Sequence, residues 1–371
     1  MRTGKRPAAM AIILALVGLW GGIGTAQTAD DAGPLAELQK KNAELTEQDR
    51  EAISGFLDDA LAALSTELLR KVDQDYPLAT KQAEVARLVD RVVKSAEGTE
   101  AYRAAYLSLL AERVLARLGN QDVQVSTNHM LILLELADPA LAEAWLKTLG
   151  TAEPAVNYLA LKGLQAVREK LPAERVAAIA PELVSFAKKN PDELVLGEVY
   201  RFLAQTGNPA AVGGLLELLN LRAEAYQHET PVVLGTDRQL LESVRSVWSA
   251  VPAEQHGAVV AATARILATA VEQDLRLPVT PATERIRGTL ELIVYSAEGL
   301  LGQITQQHQD RPVLRALAVR NVSATRGALA GWVGDGETQG VLNKAPYNLE
   351  PLTAEKNSGG GNAETQPGAA S

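Results

Sequence analysis

The histidine side chains of this sequence are the groups that could bind a metal ion or transfer a proton near neutral pH. There are four, His129, His228, His256 and His308. No two of them are three or four residues apart, the spacing that places a pair of metal ligands on one helix face. His228 and Glu229 are adjacent, but two ligands are too few for a metal site. We predict no metal site, and a hydrogen-bonded structural role for His129.

A glycine-rich segment at 334–340, GDGETQG, is the next candidate, because glycine loops bind phosphate groups. Its spacing is G-x-G-x-x-x-G and no predicted strand precedes it, so we interpret it as a turn. The sequence contains no G-x-S-x-G nucleophile elbow, and without cysteine it has no thiol nucleophile. We therefore assign no catalytic residue and no cofactor-binding residue.

The composition of the 371-residue chain favours a folded, helical protein. Hydrophobic residues make up 47% and charged residues 22%, which is too apolar for a disordered chain. Aromatic residues are only 4%, and Ala, Leu and Val supply most of the apolar content, which suits closely packed helices. The absence of cysteine excludes disulfide bonds and thiolate metal sites.

The first 26 residues are typical of a secretory signal peptide. Three basic residues precede an apolar run at 8–24, and Gly24 and Ala26 supply the small side chains of a cleavage site. We predict cleavage after Ala26. The alternative is an uncleaved membrane anchor, because the apolar run approaches the length of a membrane span.

The charge of the chain limits its partners. The formal net charge is −9, and loss of residues 1–26, which carry three basic and no acidic side chains, would leave −12. Such a chain repels nucleic acid and anionic lipid over most of its surface, so we predict no nucleic-acid partner and no membrane contact beyond the alternative N-terminal anchor. Export without disulfide bonds predicts a periplasmic or secreted protein of a bacterial envelope.

Between residues 100 and 306, apolar side chains recur with the period of amphipathic helices. Two runs with the spacing i, i+3, i+4, i+7 lie 36 positions apart: Val176, Ile179, Ala180 and Leu183, then Val212, Leu215, Leu216 and Leu219. Repeating units begin near residues 100, 138, 172, 208 and 252. Helix pairs that repeat at this period predict an α-solenoid, because stacked pairs bury an apolar face that no pair buries alone.

The breaks between predicted helices are also regular. Four of them place a polar residue before proline, which suits a helix start: Asp138-Pro139, Glu153-Pro154, Asn190-Pro191 and Asn208-Pro209. Three glycines stand where a preceding helix should end: Gly119, Gly150 and Gly207.

Residues 179–219 resemble HEAT repeats. The first helix of such a repeat carries a proline partway along, here Pro181, an Asn-Pro turn follows at Asn190-Pro191, and the second helix ends near Gly207. Tetratricopeptide repeats have a similar length, but their Trp/Gly/Tyr signature is missing. The resemblance implies a helical scaffold that binds proteins or peptides.

The flanks of the repeat array, 100–306, differ from it. Residues 27–99 predict a helical N-terminal cap, with four leucines on one helix face: Leu57, Leu61, Leu64 and Leu68. Residues 307–352 predict a C-terminal cap of one helix, from Val313 to Ala330, followed by a loop. Residues 353–371 lack the apolar content to fold and predict a flexible tail.

One repeat is long because of an insertion at 222–236, RAEAYQHETPVVLGT. Long loops in compact repeats often carry function. We predict that Val232, Val233 and Leu234 of this loop fold back over the edge of the stack and seal it. The alternative is that the loop contacts the partner, in which case the candidate binding residues are Tyr226, His228, Val232, Val233 and Leu234.

The predicted function is that of an exported HEAT-like scaffold for protein–protein interaction in the cell envelope, with a protein or peptide partner and no enzymatic activity. The alternative is an envelope enzyme, or an accessory subunit of one, with its site between the repeat array and the C-terminal segment.

Overall fold

The structure is a computed structural model and is all-helical. It describes residues 35–119, 122–151, 153–190, 192–227, 234–307, 310–335 and 337–352. These residues form fifteen α-helices and short 3₁₀ turns, without a strand. The all-α class predicted from the apolar periodicity is therefore confirmed. The predicted signal peptide, 1–26, and the predicted tail, 353–371, lie outside the described residues.

The chain divides into two compact units, Met1–Lys170 and Leu171–Ser371. The division falls beside the predicted repeat start near residue 172. The first unit contains seven α-helices in its described part: α1 (Ala36–Gln39), α2 (Glu47–Leu69), α3 (Leu78–Lys94), α4 (Glu100–Arg117), α5 (Val123–Leu136), α6 (Ala142–Thr148) and α7 (Pro154–Val167).

Helices of the first unit pack against helices two positions away in the chain. Helix α4 contacts both α2 and α6, and α5 contacts both α3 and α7. The four leucines predicted on one face of the N-terminal region lie on α2 and are all buried. Their burial confirms the face that the 3.6-residue period predicts.

The second unit contains eight α-helices in its described part: α8 (Ala173–Lys189), α9 (Glu193–Gln205), α10 (Pro209–Ala225), α11 (Thr236–Ser246), α12 (His256–Arg276), α13 (Pro281–Thr305), α14 (Pro312–Ala318) and α15 (Val322–Val333). Here α10 packs between α8 and α12, and α11 packs between α9 and α13. In the second unit too, helices therefore contact helices two positions away in the chain.

Local signals set several helix ends as predicted. The Asn208 side chain accepts a hydrogen bond from the Ala210 amide at 2.9 Å, and Pro209 is the first residue of α10. Gly207, just before this start, has a φ of +62°, which favours glycine. The predicted cap at Asn190 is wrong, because Asp192 accepts from the amides of Leu194 and Val195 and caps α9 instead.

The single helix predicted from Val313 to Ala330 is also wrong, because the chain breaks it into α14 and α15. Arg320, between them, has a φ of +59°, and its guanidinium donates to the Asp274 carboxylate at 2.8 Å. The Asn321 side chain then caps α15 by accepting from the Ala324 amide. The new start is therefore signalled by an ordinary N-cap residue, which the apolar pattern hides.

No helix in the described part of the chain is long and apolar enough to cross a membrane. The apolar run at 8–24 lies outside that part.

Candidate functional site

The insertion at 222–236 begins as a continuation of α10, which runs to Ala225, and ends at the start of α11. Three of its candidate binding residues, His228, Val232 and Val233, lie outside the described residues. The other two, Tyr226 and Leu234, lie at the two described ends of the insertion.

Asp237, in the first turn of α11, joins these two ends. Its carboxylate is 1% exposed and accepts hydrogen bonds from the Arg222 guanidinium at 2.6 and 2.8 Å. It also accepts from the Tyr226 hydroxyl at 2.9 Å and from the Leu234 amide at 3.0 Å. A buried carboxylate with four donors is well satisfied, so this cluster holds the insertion ends in place.

Tyr226 therefore has an anchoring position. Its side chain is fully buried, and burial, together with the negative charge of Asp237, raises the pKa of its hydroxyl. Leu234 is only half-buried and forms part of the wall of an adjacent cleft. Whether these residues contact a partner stays a prediction, since the structure holds no partner.

We call this cleft the insertion cleft. It has a volume of about 390 Å³ and lies between the end of α8, the middle of α9 and the second half of α10. Eleven of the described residues line it: Ala187, Lys188, Lys189, Asn190, Leu196, Tyr200, Leu218, Leu221, Arg222, Ala225 and Leu234. Of these residues, only Leu234 is among the binding residues considered from the sequence. The sequence offers one weak signal for the others, the Lys188-Lys189 pair, which is also typical of an ordinary basic helix C-terminus.

The described lining of the insertion cleft combines an apolar floor with cations and contains no acidic residue. Lys188 forms an ion pair with Glu217, and Arg222 is held by Asp237. Lys189 is exposed and makes no ion pair with the described residues. Burial raises the pKa of the Tyr200 hydroxyl, so this group stays protonated and uncharged. Among its described lining residues, the cleft thus offers apolar contact area and one ammonium group without an ion pair, that of Lys189.

The two histidines in the described part of the chain, His129 and His256, contact protein groups in the helical structure. His129 is fully buried with its Nε2 atom 3.3 Å from the Ser65 hydroxyl, which confirms its predicted structural role. The His256 ring lies 4.2 Å from that of Trp248, and its Nε2 atom is 3.1 Å from the Val251 carbonyl oxygen. Among the described residues, no three His, Asp or Glu side chains are placed to hold a metal ion. His308 lies outside them.

The glycine-rich segment contains a turn in its described residues. The Asp335 carboxylate accepts from the amides of Glu337 and Thr338 at 3.1 and 2.8 Å, and these bonds lower the pKa of Asp335. Both bonds form within the segment, as expected for the turn that the spacing predicts.

Comparison of the protein with protein-family models, with curated proteins and with solved structures found no match in any of the three.

Proposed function

We propose that this protein is an exported HEAT-like repeat scaffold that binds a segment of a partner protein in the insertion cleft. The helix order supports the scaffold: helices begin close to the predicted repeat starts, and α10 and α11 each contact the helices two positions before and after them in the chain. This is the arrangement expected when helical hairpins stack, since each pair buries its apolar face on its neighbours. The N-terminal pattern of residues 1–26 supports export.

The insertion cleft carries the proposal for binding. Its volume of about 390 Å³ lies within the usual range of ligand pockets, and an apolar floor with few polar groups is typical of them. It also lies where the repeat spacing is interrupted, at the place where insertions in repeat proteins collect binding residues. The Asp237 cluster fixes one side of the cleft, which reduces the ordering cost of binding.

Two leucines with the same exposure allow a matched test. Leu221, which lines the cleft, and Leu194, which does not, are each 38% exposed. A photocrosslinking amino acid at position 221 of the exported protein should capture a defined partner that position 194 does not capture. With that partner purified, L221R should weaken binding by about tenfold or more, because the long cation fills the cleft beside Lys189, whereas L194R should change binding by less than about twofold.

Equal crosslinking from both positions, or equal affinity of L221R and the unchanged protein, would remove the insertion cleft as the binding site. Circular dichroism of both variants checks that each retains its helices.

A further inference from the structure

A second polar cluster lies in the second unit, where α11, α13 and α14 meet, and none of its residues is among those that line the insertion cleft. Arg311 is the N-cap residue of α14, and its φ of +52° and ψ of +67° place it in the left-handed region. That conformation is uncommon for arginine and persists only where the surroundings hold it. Its guanidinium lies 3.4 Å from the centre of the Tyr295 ring, and its buried Nε atom has no hydrogen-bond partner among the described residues.

Arg245, near the end of α11, approaches the same place. Its Nε donates to the Gln303 side-chain oxygen at 3.0 Å, and its carbonyl oxygen accepts from the Gln303 amide nitrogen at 3.3 Å. This reciprocal pair fixes the arginine along α13 and leaves its terminal nitrogens without a carboxylate among the described residues.

Gly299 of α13 is the point at which the two arginines meet. A Cβ atom at this position would lie 3.2 Å from Nη1 of Arg245 and 3.3 Å from Nη2 of Arg311. Both guanidinium groups therefore rest against the same glycine. A larger residue would push them aside, so glycine permits the close approach.

The nearby carboxylates are already engaged. Glu298 is fully buried and accepts from the Val313 and Leu314 amides and from the Trp332 indole, at 3.0, 2.8 and 3.0 Å. The charge of Arg311 acts on Glu298 electrostatically, but no hydrogen bond joins them. Glu242 pairs with Arg238 and accepts from Ser296. Asp310 pairs with Arg315.

We propose that Arg245 and Arg311 form a binding site for an oxyanion group, a phosphate or a carboxylate. Two guanidinium groups side by side repel each other, and an oxyanion between them would satisfy both through charge-assisted, forked hydrogen bonds. The partly exposed Tyr295 ring lies against the Arg311 guanidinium, and Gly299 allows both guanidinium groups to approach the same point of α13. This site stands independently of the proposed partner in the insertion cleft.

The test is calorimetric titration of the full-length protein with inorganic phosphate and, separately, with glutarate, against chloride at the same low ionic strength. We expect saturable binding of at least one anion, weakened by about tenfold or more in R245Q and in R311K, which keeps the charge but loses the fork. The matched control is R315Q, which removes an arginine already paired with Asp310 and should bind as the unchanged protein does.

The two titrations separate the ligand sources: binding of phosphate alone assigns a phosphate group, and binding of glutarate assigns a carboxylate. The proposal is overturned if neither anion binds saturably, or if R245Q binds as tightly as the unchanged protein while retaining its helical circular dichroism. R245Q decides the matter even if R311K fails to fold, since Arg245 is not a helix cap.

Discussion

Burial changes the pKa of individual side chains in this protein, and His129 is the clearest example. His129 is fully enclosed in the first unit, and burial lowers its pKa from 6.5 to about 4. The ring is therefore neutral in the folded protein at pH 7, and Ser65 is its polar neighbour. This histidine is therefore a neutral core residue. Its protonated form is disfavoured because the positive charge would be buried without a carboxylate among the described residues to compensate it.

At the residue scale, we predict that His129 makes the protein sensitive to acid. In the unfolded chain His129 becomes protonated below about pH 6.5, whereas in the folded chain it does so only near pH 4. The free energy of unfolding is therefore highest above pH 6.5 and decreases as the pH falls towards 4. Between pH 7 and 5 the loss should be about 2 kcal/mol. Urea unfolding at both pH values measures it.

The variant H129Q should lose this part of the pH dependence, whereas H256Q, which changes a partly exposed ring, should keep it. A pH dependence that is unchanged in H129Q would show that another group is responsible.

Helix ends and their connections decide where the insertion cleft of the second unit lies. The end of α10 and the start of α11 are joined by the Asp237 cluster, which ties Arg222, Tyr226 and Leu234 to one carboxylate. An acidic residue in the first turn of a helix is also stabilised by the helix dipole. Because both ends of the insertion are held, the wall of the insertion cleft that contains Leu234 is held with them.

At the element scale, we predict that D237A lowers the free energy of unfolding by roughly 3 kcal/mol, because it removes the buried carboxylate that forms an ion pair with the mostly buried Arg222 cation. Y226F, which removes one hydrogen bond to the same carboxylate, should cost roughly half of that. Denaturant unfolding of both variants measures the difference. A cost for Y226F as large as that for D237A would mean that the tyrosine, rather than the ion pair, holds the insertion.

The whole chain consists of two compact units, each with its own buried core. Within each unit, the helices contact partners two positions away in the chain, so packing is largely between near neighbours. In repeat proteins this pattern makes stability a sum of local contributions, and one region can loosen while another stays folded.

At the scale of the molecule, we predict that shortening a buried core side chain destabilises mainly the unit that contains it. L61A on α2 and L183A on α8 each remove a fully buried leucine side chain and should each cost about 3 kcal/mol locally. In hydrogen exchange by mass spectrometry, L61A should reduce protection mainly before residue 171, and L183A mainly after it. Uniform loss of protection along the chain in either variant would show one cooperative unit instead.

Several features of this protein could be determined from the sequence alone, because they depend on neighbours along the chain. The buried faces of α2 and α8 follow from the 3.6-residue period, and the start of α10 follows from Asn208-Pro209. The structural role of His129 follows from its place in an apolar helix. Each of these signals acts within one or two helical turns.

The tertiary structure alone decided which distant residues share a site. The lining of the insertion cleft comes from α8, α9 and α10, and Arg245 and Arg311 meet at Gly299 although more than sixty positions separate the arginines. The break between α14 and α15 likewise involves Arg320 and the remote Asp274. Such meetings depend on the angles and distances at which helices pack, and a periodic pattern specifies the face of a helix without specifying the residues that face it.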